Sequence, residues 1–195
     1  MASLNRGPSQ CVIPLIALVI RRVREAFVLH EINGLPAHVL LIHVVIVLVP
    51  AAAVMLVASA VWPAARAKLG FLTPAVAAVA LVFVPITTNA GHWFQSHLPN
   101  HFGDTAGVRH HAALGNQLLP WAIGIFVLAA AVWVLGRRFA YGWRVADGPD
   151  RTALPVWAVA AVAVLAVGIS VGGVVQLYRI GDSGAKSVWG NTLKH

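Results

Sequence analysis

The 195-residue chain contains a single cysteine, Cys11, and few charged side chains. One cysteine excludes an internal disulfide and any metal or iron–sulfur site built from several thiolates. Charged residues make up 10% of the chain, against about 25% in a typical soluble domain, and hydrophobic residues make up 59%. The sequence also lacks a Walker loop, a dinucleotide-binding glycine fingerprint and a Ser-His-Asp set. It therefore assigns no reaction and favours a protein without enzymatic activity of its own.

Four apolar stretches without Asp, Glu, Lys or Arg are each long enough to cross a bilayer, which takes roughly 20 residues. They cover about residues 37–62, 71–94, 115–135 and 154–178. The short connections between them predict an all-α membrane protein, a four-helix transmembrane bundle with antiparallel up-down neighbours. Residues 30–190 form the predicted membrane domain, with 179–195 as a C-terminal tail. Residues 1–29 are predicted to be peripheral, either an amphipathic segment or no part of the native domain.

Basic residues are unevenly distributed between the predicted loops. The 63–70 and 136–153 loops carry Arg66, Lys68 and four further arginines, whereas the loop between the second and third spans carries only Arg109. Because cytoplasmic loops are enriched in basic residues, this distribution places both termini and the second loop outside a plasma membrane. Topology thus explains the net charge of +8, and nucleic acid is not expected as a partner.

Histidines are concentrated at the predicted outer face. Seven of the nine lie near span ends that meet there: His38, His43, His92, His97, His101, His110 and His111. We expect His43, His92 and His111 to line a site between the spans, with His38 and Asp182 at its mouth and His110 as a further candidate ligand. Supporting polar groups would come from Thr88, Asn89, Asn116 and Gln176. His38 and His43 are five residues apart, about 140° around a helix, and are not expected to share one metal ion.

Three interpretations of these histidines remain open. They could form a buried polar network in a structural or accessory subunit. They could hold haem b or a divalent metal in a redox-linked protein, since imidazole suits both. They could also sense pH or carry protons. The expected partners are the lipid bilayer and either a membrane redox protein or a second copy of the chain.

The fourth span contains Gly168, Gly172 and Gly173. The first two have the G-x-x-x-G spacing that lets two helix backbones approach closely. We expect these glycines to serve helix packing within the bundle, with a dimer face or space for a flat cofactor as the alternatives. No internal repeat is visible in the residues.

Four stretches in combination resemble a family of bacterial membrane proteins known as domain of unknown function 2231. They are residues 31–43 (EINGLPAHVLLIH), 85–91 (PITTNAG), 110–115 (HHAALG) and 178–185 (YRIGDSGA). The resemblance covers about residues 30–190 and implies a four-helical protein of the bacterial plasma membrane without a settled activity. Some members are joined to cytochrome-c-like parts, which favours haem. His92 stands where relatives often have an acidic residue, so a carboxylate partner is lost or replaced by another nitrogen ligand.

Overall fold

The computed structural model describes residues 31–32, 35–97, 106–138 and 154–189. In chain order these ranges form β1 (Glu31–Ile32), β2 (Leu35–Pro36), α1 (Ala37–Val61), α2 (Pro63–Leu69), α3 (Leu72–His97), α4 (Ala106–Asn116), α5 (Leu118–Arg138) and α6 (Val156–Trp189). β1 and β2 pair as a two-residue ladder directly before α1. The predicted peripheral extension, residues 1–29, lies outside the described residues, as do His101 and most of the 136–153 loop.

Four segments are long and apolar enough to cross a membrane, which confirms the predicted four-helix transmembrane architecture. They are Ala37–Val61, Leu72–His97, Ala106–Arg137 and Val156–Ser187. The third begins before residue 115 and the fourth continues past residue 178, because polar turns extend both helices beyond their apolar stretches. In α6, Lys186 donates to Asp182 one turn earlier (2.7 Å), a pairing that supports a helix on its exposed side. The predicted tail from residue 179 is therefore helical as far as Trp189.

The first two spans are joined by a tight connection. Trp62 is extended and ends α1, and Pro63 begins α2, where its missing N–H is tolerated. Gly70 then turns the chain with a φ of 43°. The hydroxyls of Ser59 and Thr73 lie 3.1 Å apart and are buried, which links the end of α1 to the beginning of α3. This end of the molecule carries the basic residues of α2.

A break separates α4 from α5. The N–H of Gln117 donates to the carbonyl of Leu114 (3.1 Å), a tighter turn than that of an α-helix. The same carbonyl accepts a second bond from Nε2 of Gln176 in α6 (2.9 Å), and Gln176 is 4% exposed. A buried side-chain amide thus satisfies the backbone where the ladder is interrupted, as apolar surroundings require. The two helices α4 and α5 together form the third membrane span, with this break between them.

The bundle core consists mainly of small and branched aliphatic residues, and large aliphatic side chains cover its outside. Val47, Val54 and Val164 are 66%, 68% and 70% exposed, as lipid-facing residues are. α1 packs against α3 and α6, and α5 packs against α3 and α6. At one end of this arrangement the core gives way to a cavity.

Candidate functional site

A cavity of about 290 Å³ lies at the end of the bundle where α1 begins and α3 ends. Its walls are largely aliphatic, with Ile42, Val45, Val84, Leu118 and Leu177 among the lining residues. Three histidines line it as well: His38, His92 and His111. A mainly apolar pocket with a few converging polar groups is the usual form of a small-molecule site.

His38 is fixed by the neighbouring helix α3. Its Nδ1–H donates to the main-chain carbonyl of Thr87 (3.0 Å). Because a carbonyl only accepts, Nδ1 carries the proton in the neutral ring and Nε2 keeps its lone pair. The ring lies on Gly91, where a Cβ would stand 2.9 Å from Nδ1 and Cε1. Only glycine leaves room for the imidazole in this position.

His111 is fixed by α6 in the same manner. Its Nδ1–H donates to the carbonyl of Ile180 (3.0 Å) and also lies 3.1 Å from the hydroxyl of Ser183. That hydroxyl donates to the Ile180 carbonyl (2.8 Å), so its oxygen is free to accept from the ring. A Cβ at Gly184 would stand 3.1 Å from Cε1 of His111. Nε2 is again the nitrogen with the free lone pair.

These two supports are equivalent, and two halves of the described chain, residues 37–97 and residues 106–138 with 154–189, share one pattern of support and burial. In each, a histidine bonds to a carbonyl four residues before a glycine. In the first span of each half, the residues that lie 3, 7, 11, 14 and 18 positions after the histidine are buried. They are Leu41, Val45, Val49, Ala52 and Leu56 in α1, and Leu114, Leu118, Ala122, Ile125 and Ala129 in α4 and α5. In the second span of each half, the residues that lie 1, 4, 11, 14 and 18 positions before the glycine are buried. They are Ala90, Thr87, Ala80, Ala77 and Thr73 in α3, and Ser183, Ile180, Gly173, Ser170 and Ala166 in α6.

His92 occupies the rim of the cavity rather than its interior. Its side chain is exposed, and its Nε2–H donates to Oδ1 of Asn116 (3.1 Å) across the gap between α3 and α4. Thr88 also lines the cavity, but its hydroxyl is used within α3, where it donates to the carbonyl of Val84 (2.9 Å). The rim is thus closed on one side by a polar contact between the two halves.

His43 does not line the cavity, contrary to our expectation, and His38 takes the place predicted for it. His43 is exposed, and its Nδ1–H donates to the carbonyl of Val39 one turn earlier in α1 (2.7 Å). The five-residue spacing explains the exchange, because it turns the two rings to different sides of one helix.

The remaining predicted polar residues are dispersed. Asn89 and His110 are exposed and do not line the cavity. Asp182 pairs with Lys186 on the surface of α6 rather than lying among the lining residues. Gln176 supports the break between α4 and α5. The supports that matter most, Gly91 and Gly184 with the carbonyls before them, were missed. Their signal in the sequence is a glycine at matching depth opposite each histidine.

The three glycines of α6 differ in their surroundings. The Trp121 ring lies directly against Gly172, closer than any Cβ could stand, and a Cβ at Gly173 would be 3.2 Å from Ile125. Both glycines therefore bring α5 and α6 together within the chain. Gly168 is exposed, and no atom lies within 4 Å of the position of its Cβ.

The donor groups at the cavity limit which cofactors it could hold. Within residues 31–32, 35–97, 106–138 and 154–189, no three His, Cys, Asp or Glu side chains are grouped so that they could bind one metal ion. Such a group is needed for a zinc site, which has three or four protein ligands. The cavity instead offers two oriented imidazoles, one from each half, and haem iron is commonly held by imidazole.

Comparison with known proteins agrees with the membrane architecture. A family model described as "Predicted membrane protein (DUF2231)" matches residues 34–194, which include every residue that lines the cavity. No curated protein and no solved structure matches the chain.

Proposed function

The chain belongs to the DUF2231 family of predicted membrane proteins, and from that premise we propose that its cavity binds haem b between His38 and His111 in a redox-linked role. The observation that carries the proposal is the matched state of the two rings. Each Nδ1–H donates to a main-chain carbonyl of the neighbouring helix, at 3.0 Å in both cases. The lone pair of each Nε2 is therefore available to bind a metal. Metal-bound histidines are typically oriented by such a bond from the other ring nitrogen.

The walls of the cavity suit a flat, apolar macrocycle. The lining combines aliphatic side chains with small residues, namely Gly91, Ala112, Gly115 and Gly184. The volume of about 290 Å³ lies just below the roughly 300–1,000 Å³ found for ligand pockets. A macrocycle would therefore extend from the cavity toward its opening, where His92 and Gln95 provide polar contacts.

Bound haem would supply one-electron redox chemistry, and the protein's own residues would set its conditions. The carbonyls of Thr87 and Ile180 would fix the two rings and hold the proton on Nδ1, so that each Nε2 keeps its lone pair for the iron. The aliphatic walls keep water from the two donors and lower the local dielectric, which influences a redox potential. Neither histidine needs to change its tautomer to serve as a ligand.

An accessory subunit without a cofactor is the second candidate. It is supported by the fact that each histidine already bonds to a neighbouring helix and fills the space above a glycine. On this interpretation the two rings are packing elements, and the cavity is filled by lipid or detergent chains. The two candidates differ in whether both Nε2 atoms bind iron.

Spectroscopy of the purified protein separates the candidates. The full chain would be expressed with haem precursors, purified in mild detergent and titrated with hemin. We expect a Soret band and, after reduction, the sharp α band of haem b held by two histidines. His38→Ala and His111→Ala should each lose that spectrum, whereas His110→Ala, at an exposed neighbour of His111, should keep it. Absence of both a Soret band and saturable hemin binding, in a folded preparation, would favour the accessory subunit.

The proposed site would lie at the extracytoplasmic face of a bacterial plasma membrane and exchange electrons with a membrane redox partner. This orientation is supported by Arg66, Lys68 and Arg137, which lie at the opposite end of the bundle. A Cys11→Ser background with a new cysteine at Ala106 provides the test. An impermeant maleimide should label it in intact spheroplasts, and labelling only after lysis would reverse the orientation.

A further inference from the structure

His43 is a polar residue within an apolar, outward-facing stripe of α1. Leu40, Ile46 and Val47 lie three or four residues away, hence on the same side of the helix, and are 39%, 45% and 66% exposed. His43 is not among the residues that line the cavity. An exposed apolar stripe on a membrane span faces lipid, so the imidazole is placed where polar groups are rare and usually functional.

The depth of His43 along the bundle is fixed by its neighbours. The His38 ring lies on Gly91, and α3 continues from Gly91 to His97, six residues or about 9 Å at the helical rise. His43 lies five residues further into α1, about 7.5 Å deeper. The headgroup layer accounts for only about 5–8 Å on each side of the hydrocarbon. With the end of α3 at the outer edge of the headgroup layer, His43 therefore lies among acyl chains rather than headgroups.

The hydrogen-bonding state of His43 leaves one nitrogen unsatisfied. Nδ1–H donates to the Val39 carbonyl at 2.7 Å, so Nε2 of the neutral ring carries a lone pair. Within the part of the chain that the structure describes, no group donates to that nitrogen. An acceptor without a donor in an apolar medium is costly, and a donor from outside the chain would remove the cost.

The chemistry of this acceptor selects the class of its partner. Lipid headgroup hydroxyls are too shallow to reach it. In a twofold dimer centred on this stripe, His43 would oppose His43, and two acceptors cannot bond to each other. A membrane-soluble ring that bears a hydroxyl group can reach this depth and donate.

We propose that His43 is the anchor of a lipid-facing binding site for the phenolic hydroxyl of a membrane-soluble ligand of the hydroquinone type. His38 and His43 project from different sides of α1, so this site lies one helix away from the cavity. It does not depend on haem binding there. The aliphatic neighbours Leu40, Ile46 and Val47 would contact the ring and its tail.

Binding would be measured with the full chain in lipid nanodiscs, using a radiolabelled decyl-benzohydroquinone and its dimethyl ether, which lacks the hydroxyl hydrogens. His43→Leu removes the acceptor and continues the aliphatic stripe, so it should fold. His43→Gln retains an acceptor, and Val47→Leu changes the stripe without changing its polarity. Empty nanodiscs give the partition of each probe into lipid alone.

We expect the hydroquinone to bind the wild type and Val47→Leu about threefold to tenfold more tightly than His43→Leu, the range for one hydrogen bond. His43→Gln should recover part of the difference. The dimethyl ether should bind the wild type and His43→Leu equally. Equal hydroquinone binding to the wild type and His43→Leu would refute the proposal. The proposal would also be refuted if the wild type were a dimer and His43→Leu a monomer, because His43 would then be a subunit contact.

Discussion

Replacing Gly91 with alanine tests the support of His38 most directly. The new Cβ would stand 2.9 Å from Nδ1 and Cε1, so the ring must move by about 0.5 Å to restore an ordinary contact of 3.4 Å. The same movement stretches the 3.0 Å bond to the Thr87 carbonyl toward 3.5 Å, where little of it remains. The lost bond costs about 0.5–1.5 kcal/mol and the overpacking about 1–3 kcal/mol.

Helix propensity acts in the opposite direction, because alanine is favoured over glycine by about 1 kcal/mol. We therefore expect Gly91→Ala to lower the free energy of unfolding by about 2 kcal/mol, within a range of about 0.5–3.5 kcal/mol. Gly184→Ala should cost less, since its Cβ would stand 3.1 Å from the His111 ring. Gly181→Ala is the matched control: no atom lies within 4 Å of its Cβ position, so it should be neutral or stabilising.

The assay is thermal unfolding in one detergent, followed by circular dichroism, with hemin titration of the same samples. A loss of about 2 kcal/mol corresponds to a Tm lower by about 4–8 °C for a domain of this size. Hemin affinity should fall for Gly91→Ala and stay unchanged for Gly181→Ala. If Gly91→Ala proves as stable as Gly181→Ala, the His38 ring does not rest on Gly91 and the reasoning is wrong.

Three further predictions concern other residues. Gly172→Ala should destabilise the chain by about 2–3 kcal/mol, because its Cβ would meet the Trp121 ring, and Trp121→Ala should offset part of that loss when both changes are measured by unfolding. Gln176→Leu should cost about 1–3 kcal/mol, because the Leu114 carbonyl loses a buried donor; an unchanged Tm would contradict this. His110→Ala should change the Tm by no more than about 2 °C, the effect of an exposed substitution, and should leave hemin binding intact.

The four spans could be predicted because a run of about twenty apolar residues without charge is typical of a transmembrane helix. Their ends could not be predicted as well. The polar turns of α4 and of α6 after Tyr178 satisfy their hydrogen bonds within the helix and against each other, which a hydropathy criterion does not detect. His111, for example, stands in a turn of low hydropathy yet bonds to Ile180.

The cavity lies at the end of the bundle where the histidines were expected to converge, but His43, which was expected to line it, does not. α1 is apolar on every side, so its periodicity does not distinguish the core side from the lipid side. The choice between His38 and His43 depends on Gly91, on another helix, which alone leaves space for a ring. The matching halves were missed for a similar reason. They share positions of burial, and the residues at those positions differ, as with Val49 and Ala122.

The position of the histidine supports within the halves has a consequence for how the protein assembles. The bond from His38 to Thr87 lies within residues 37–97, and the bond from His111 to Ile180 lies within residues 106–189. Membrane helices insert first and associate afterwards, so each half can orient its own ring before the halves meet. The cavity forms only when they associate, and a ligand that touches both rings then acts as a clasp that stabilises the associated state. A chain with weakened contacts between α3 and α5 would lose the cavity well before it lost its helices.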